Sequence, residues 1–164
     1  MRSPKRVLLL GSGHVAKPVV RLLAQHENVH LTIASDSAEQ AKGLIEFIEK
    51  HGSVRGHRRN TTATIGSATV YGSRAVYHEF VSPRDNFNGT LETLMRNCDV
   101  VVSLLPANMH IPIAQEAIRQ GRHMVTASFV NPLMSELHES ASKAGVVLLN
   151  EMGLDPGIDH MVSV

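Results

Sequence analysis

The apolar run Val7-Leu-Leu-Leu10 breaks directly into Gly11-Ser-Gly-His-Val-Ala16, and few folds accommodate that sequence. Four consecutive apolar residues ending at a glycine suit a strand buried on both faces, and residues 15–23 continue with the pattern of a helix. Strand, glycine turn and helix in that order make the G-x-G-x-x-A form of the dinucleotide fingerprint. Each small residue has its own physical reason. Gly11 permits the tight turn, Gly13 lets the backbone approach a pyrophosphate, and Ala16 keeps the helix close to the sheet. The N–H groups and positive dipole end of that helix then face the phosphates. Gly11, Ser12, Gly13, His14, Val15 and Ala16 are accordingly candidate cofactor-binding residues.

A second strand should follow and end in a residue that reads the adenosine ribose. Residues 29–34, Val-His-Leu-Thr-Ile-Ala, fit that strand and lead into Ser35-Asp36. Asp36 lies close to the expected spacing of about 20 residues beyond the turn. A carboxylate there accepts hydrogen bonds from the 2′- and 3′-hydroxyls and repels a 2′-phosphate, which favours NAD, with NADP as the alternative. The next lysine along the chain is Lys42. Aspartate is also a preferred helix N-cap, so Asp36 has a structural reading beside the functional one. Gln40, one helical turn on, is placed to reach the adenosine, or simply to face solvent.

Composition narrows the class. The chain has 164 residues, enough for one domain with a proper core. At 43% hydrophobic residues it is not a disordered chain, and no apolar run approaches a membrane span. Lys+Arg 16 against Asp+Glu 15 gives a formal charge of +1, which offers nothing for nucleic acid. The single cysteine, Cys98, excludes an internal disulfide framework and fits a reducing compartment. It precedes a strand pattern and reads as a core thiol. Ten histidines form no metal-ligand spacing, so no metal is expected. The opening Met-Arg-Ser-Pro-Lys-Arg runs straight into the first strand without a signal-peptide pattern, and a cytoplasmic protein is expected.

Strand and helix patterns alternate, predicting an α/β, Rossmann-like doubly wound parallel sheet of order 3-2-1-4-5-6. Residues 38–51 carry Ala41, Leu44, Ile45 and Ile48 at amphipathic helical spacing. Residues 52–77 read as a polar excursion with an arginine group (Arg55, Arg58, Arg59), and a third strand is placed around 75–81. A helix over 88–97 should turn Leu91, Leu94 and Met95 inward. Residues 99–105 are the clearest later strand, ending at Pro106. A helix over 111–120 stopped by Gly121, a strand over 123–127, a helix from Asn131-Pro132 to Lys143 and a strand over 146–149 complete the series. Ligands of such a sheet bind beyond the carboxyl ends of the strands, which selects the loops 11–16, 35–37, 103–110, 127–131 and 150–160.

Those loops contain Ser103-Leu-Leu-Pro106, Val125-Thr-Ala-Ser128 and Gly153-Leu-Asp-Pro-Gly-Ile-Asp-His160. Together these resemble saccharopine dehydrogenase of the glutamate-forming type, over nearly the whole chain except residues 52–81. The resemblance implies oxidation of saccharopine by a nicotinamide cofactor and hydrolysis of the imine to glutamate and aminoadipate semialdehyde, a step of lysine metabolism. It implies that Ser103, Leu104, Leu105 and Pro106 run under the nicotinamide half. It places Ala127, Ser128, Leu154, Asp155 and Pro156 where nicotinamide and substrate meet, with Ser128, Phe129 and Asp155 touching substrate. Asp36 resembles the NAD-using catabolic branch, whereas the NADP-using fungal branch carries arginine there. Relatives continue into a substrate-binding and dimerisation domain. The chain is therefore expected to be the cofactor domain of a homodimer, inactive alone, and mitochondrial where an upstream module is fused.

Deprotonating a secondary amine and activating water both need a base near working pH. Asp159, His160 and His110 are candidates by residue type, each with a capping or packing reading beside it. Ala107 and Phe129 stand where relatives carry tyrosine. Three alternatives stay open: an NADP-dependent saccharopine reductase, a carboxynorspermidine-type dehydrogenase of the same superfamily, and a non-catalytic dinucleotide-binding regulatory domain.

Overall fold

The structure, a computed structural model, describes residues 3–26, 28–51, 62–65, 68–71, 75–79 and 90–163. At its centre lies β1 (Lys5–Leu10), for a reason visible in its composition. Val7 and Leu9 pack on one face of the sheet, Leu8 and Leu10 on the other, and all four are buried. A strand apolar on both faces requires helices on both sides. The helix α1 (Ala16–Ala24) returns the chain so that β2 (Val29–Ser35) pairs in parallel with β1, from Lys5 opposite Val29 to Leu10 opposite Ala34. Next, α2 (Ala38–His51) lays Ala41, Leu44, Ile45 and Ile48 beside Ala16 and Val20, over Val7, Leu9, Leu31 and Ile33. That is the stripe its spacing predicts.

The opposite face is covered by α3 (Thr90–Arg96) and α4 (His110–Gln120). Leu91, Leu94, Met95, Ile113, Ala114 and Ala117 pack there on Leu8, Leu10, Val101 and Met124. The remaining parallel strands are β6 (Val100–Ser103), β7 (His123–Thr126) and β8 (Leu148–Leu149). With β5 (Ala75–Glu79) beyond β2, the six-stranded sheet runs β5-β2-β1-β6-β7-β8 with parallel pairings throughout. Setting aside β3 (Thr62–Ile65) and β4 (Ala68–Tyr71), this is the expected 3-2-1-4-5-6.

The strands β3 and β4 form an antiparallel pair, Thr62 opposite Tyr71, inside the stretch expected to be a polar excursion. The segment Thr-Ala-Thr-Ile followed shortly by Ala-Thr-Val-Tyr holds too short an apolar alternation to signal a strand. Arg55, Arg58 and Arg59 lie outside the described residues. Two boundaries are corrected. The single helix expected up to Lys143 divides at Leu137 into α5 (Pro132–Glu136) and α6 (His138–Lys143). The strand expected over 146–149 narrows to the two residues of β8, at the edge of the sheet. The signals at the helix ends act as expected. Gly121 closes α4 at φ +64°, and Asn131 accepts from the Met134 N–H at 2.8 Å with Pro132 in the first turn.

Where β1 and β6 begin, the sheet is tied by an ion pair. Asp99 accepts from the Arg6 backbone N–H and guanidinium, each at 2.8 Å, and the guanidinium holds its carboxyl down to about 2. Cys98 beside it is a core thiol: its Sγ donates to the Met95 carbonyl at 3.3 Å, and burial pushes it up to about 11, away from nucleophilic chemistry. Among the described residues, no helix is long and apolar enough to cross a membrane.

Candidate functional site

Six polar or charged residues are buried among the described residues: Ser12, Ser35, Ser103, His110, Glu116 and Thr126. All but Glu116 sit at the carboxyl edge of the sheet, just past or at the ends of β1, β2, β6 and β7 or at the start of α4. Buried polar groups cost stability unless they are hydrogen-bonded, and their concentration at this edge, with Ser103 unpartnered among the described residues, directs attention to the loops there.

At the centre of that edge is the glycine turn. Gly11 has φ +99° and donates to the Ala34 carbonyl at 2.9 Å. A Cβ there would stand 3.3 Å from Leu105 Cδ2 and 3.4 Å from the Leu104 carbonyl, so the fold itself requires glycine. Gly13 is different. Its backbone is ordinary, and a Cβ would meet nothing within 4 Å. Folding gives no reason for glycine at this position, whereas close approach of a ligand to the backbone does. Ala16 is fully buried, as the close helix–sheet approach demands. Among the described residues no side chain caps the first turn of α1; the Ala16 N–H donates to the Gly13 carbonyl at 2.9 Å, and Pro18 brings no N–H of its own.

Beside the turn opens a cleft of about 330 Å³, lined by Ser12, Gly13, His14, Lys17, Glu39, Gln40, Gly43 and Leu44. The Ser12 and Ser35 hydroxyls hydrogen-bond to each other, and the Ser12 hydroxyl lies 3.3 Å from Gln40 Oε1. Ser35 Oγ also accepts from the Ser37 N–H at 3.1 Å. The helix α2 is capped by Ser37, whose Oγ accepts from the Gln40 N–H at 3.3 Å. Capping therefore does not consume Asp36. Its carboxylate is exposed at the end of β2, with the Ser35 hydroxyl 3.4 Å from Oδ1. Lys17, Glu39 and Gly43 were not singled out from sequence. Their signal is helical spacing: Lys17 follows His14 by three residues, and Gly43 follows Gln40 by three.

On the other side of the turn three loops converge. The stretch Ser103–Pro106 leaves β6, with the Leu104 N–H bonded to the Leu10 carbonyl at 2.9 Å. Ser103 Oγ is fully buried and has no hydrogen-bond partner among the described residues. Ala127 and Ser128 leave β7 half-buried, and Phe129 is exposed. The third loop, 150–157, is pinned over β7: Met152 donates to the Thr126 carbonyl and Glu151 to the Ser128 carbonyl, both at 3.1 Å. Glu151 Oε1 in turn accepts from the Val130 N–H at 3.1 Å. Within this loop Gly153 and Gly157 form a bridge, and a Cβ on Gly157 would fall 2.3 Å from the Gly153 carbonyl oxygen. Leu154 and Asp155 are exposed on the loop, and Pro156 is buried.

The three proton-carrier candidates are placed as follows. Asp159 accepts from the Gly157 N–H at 2.9 Å, and α7 (Ile158–Val162) begins there. Partial desolvation raises its pKa, but the backbone donors of His160 and Gly157 and the His160 ring outweigh it, so the carboxyl lies below its usual range. That suits a loop clamp better than a base near neutrality. His160 is exposed, its Nδ1 3.4 Å from Asp159 Oδ1. His110 is buried, with Nε2 2.8 Å from the Leu105 carbonyl and Nδ1 3.0 Å from Thr126 Oγ1. Among the described residues no group of three His, Cys, Asp or Glu is placed to hold a metal.

A doubly wound parallel sheet, a glycine turn open to a ligand and an exposed carboxylate ending β2 define a dinucleotide-binding Rossmann domain. The family model described as the saccharopine dehydrogenase NADP binding domain matches residues 7–149, and the chain belongs to that family. The L-glutamate-forming, NADP(+) saccharopine dehydrogenase of Saccharomyces cerevisiae is 33% identical over 160 residues, 98% of this chain and 30% of that protein. The mitochondrial alpha-aminoadipic semialdehyde synthase of Mus musculus is 32% identical over 164 residues, 100% of this chain and 15% of that protein. The solved apo structure of the yeast L-Glu-forming enzyme matches with a TM-score of 0.73 at 32% identity, over 98% of this chain and 30% of that one. The chain thus spans less than a third of the curated relatives it matches. Its fold and its nature as the dinucleotide-binding domain of this family follow from these likenesses.

Proposed function

We propose that residues 1–164 are the cofactor domain of an NAD-dependent enzyme that oxidises saccharopine to glutamate and aminoadipate semialdehyde. The observation that carries this reading is the pairing of two features at the ends of adjacent strands: Gly13, a glycine the fold does not need, just past β1, and Asp36, a carboxylate that capping leaves exposed, just past β2. The first admits a pyrophosphate against the backbone and the α1 N-terminus. The second accepts from ribose hydroxyls and repels a 2′-phosphate. A bound nicotinamide supplies the hydride acceptor for the substrate's C–H beside nitrogen. The chain's own residues orient and enclose: Gly11–Ala16, Asp36 and Gln40 hold the adenosine and pyrophosphate. Ser103–Pro106, Ala127–Ser128 and Leu154–Pro156 flank the nicotinamide, and Ser128, Phe129 and Asp155 face the substrate. In this reading the whole protein is a cytoplasmic homodimer acting on a small amino acid, without nucleic acid or membrane.

A second reading, NADP as cofactor, is favoured by the matching family, an NADP binding domain, and by Lys17 and His14 on the cleft wall. Calorimetric titration of the chain with NADH and with NADPH separates the two. The expected result is tighter NADH binding, weakened about tenfold by Asp36→Ala through the lost charge-assisted hydrogen bonds. Tighter NADPH binding by the unmodified chain overturns the assignment of Asp36.

A further inference from the structure

We propose that His110 is a positioning residue that locks together the loops after β6 and β7, which flank the proposed nicotinamide position. The inference rests on the dinucleotide reading above and adds to it a residue that touches neither cofactor nor substrate. The hydrogen-bond directions follow from chemistry. The Leu105 carbonyl can only accept, so His110 Nε2 carries the proton and donates to it at 2.8 Å. Burial lowers the ring's pKa from its ordinary value, against the opposing hydrogen bond to Leu105, and so favours the neutral form. Nδ1 is then an acceptor, and the Thr126 hydroxyl, 3.0 Å from Nδ1 and 3.5 Å from Nε2, donates to the nearer nitrogen. Thr126 Oγ1 in turn accepts from the Ser128 N–H at 3.3 Å. One directed chain of hydrogen bonds therefore runs from Ser128 through Thr126 and His110 to Leu105.

That chain joins the loop after β7 to the loop after β6 through a side chain that is 2% exposed. Its reach is wider than two residues. The Leu105 side chain closes on Gly11 of the glycine turn, and the Thr126 carbonyl accepts from Met152 of the third loop. The orphaned Ser103 hydroxyl lies opposite Thr126 in the strand register, in the same buried polar row. The adenosine side does not depend on His110. Gly11 is held by the Ala34 carbonyl at 2.9 Å, and Ser12 bonds to Ser35, neither contact involving His110. A buried ring with both nitrogens engaged cannot exchange protons with a substrate without breaking the lock, which sets His110 apart from a catalytic residue.

The test compares NADH with ADP-ribose, which lacks the nicotinamide. Affinities of both are measured by calorimetry for the unmodified chain, His110→Ala and Thr126→Val, below each variant's melting transition by circular dichroism. The expected result is NADH affinity lowered about tenfold in each variant with ADP-ribose affinity within about twofold, the signature of a misplaced subsite. Because Thr126→Val keeps the side-chain volume and removes one hydroxyl, it reports on the lock even where His110→Ala fails to fold. Equal loss of both ligands, or no loss of NADH, overturns the proposal. If the unmodified chain binds neither ligand, the dinucleotide reading fails and this inference with it; if it binds ADP-ribose as tightly as NADH, the first stands and the second falls.

Discussion

The two halves of the sheet handle the same task in opposite ways. On the β1–β2 side, the groups proposed to meet the cofactor are exposed and local in sequence: Gly13, His14, Asp36 and Gln40 belong to two short loops and the helices they start. Their polar support, Ser12 with Ser35, links the ends of adjacent strands. On the β6–β7 side, the exposed residues come from three loops, and what fixes them is buried and long-range. His110 reaches Thr126, and Met152 and Glu151 reach back over β7. The first half offers exposed groups from short local segments, and the second is shaped by loops held together from within. The lesson is energetic as well. Local turns are cheap to form, whereas loops separated along the chain hold a common geometry only if buried bonds outweigh the entropy of closing them.

This contrast predicts different failures. The largest is expected at Gly157→Ala on the loop side, where φ is +142° and the new Cβ would meet backbone oxygens at 2.3 and 2.6 Å. Strain and clash together should cost about 3 kcal/mol, a fall in melting temperature of roughly 6–12 °C. A melting temperature within about 2 °C of the unmodified chain would break the comparison. Gly13→Ala, its counterpart on the turn side, should leave stability within about 0.5 kcal/mol while weakening NADH binding about tenfold or more. Equal melting curves with unequal titrations are the expected pair of measurements.

The smallest effect is one of pH. The His110 imidazole titrates near about 6.5 in the unfolded chain and lower in the folded one, because burial disfavours the cation. The unfolded state therefore binds the proton first on acidification. The contribution of the neutral ring is complete above about pH 6.5 and is lost as pH falls from there through the folded-state value. Thermal melts between pH 7.5 and 5 should show a decline that Thr126→Val leaves in place and His110→Gln flattens. An unchanged slope in His110→Gln would assign the decline to other histidines.

Much of the turn side was legible in the chain itself. The run Val7–Leu10 required a buried parallel strand, the stripe at Ala41, Leu44, Ile45 and Ile48 required α2, and Asn131 and Gly121 marked helix ends correctly. The likeness carried by the 103–106 and 125–128 motifs falls inside the family match over residues 7–149, and the similarity to the mouse relative runs over the whole chain, residues 153–160 included. Less legible were the β3–β4 pair, whose short Thr-rich strands lack a strong apolar period, and the break at Leu137, which no proline or glycine announces.

Sequence by itself determined the sheet order, the glycine turn and Asp36, because hydrophobic period, backbone sterics and spacing act within about 30 residues of chain. The tertiary structure alone decided that Ser37 caps α2 and leaves Asp36 exposed. It also decided that Gly13 faces open space, and that His110, read from residue type as a proton carrier, sits between Leu105 and Thr126. Those outcomes turn on where side chains meet across strands and loops. A hydrogen bond forms by distance in space, which residue type and sequence spacing do not encode.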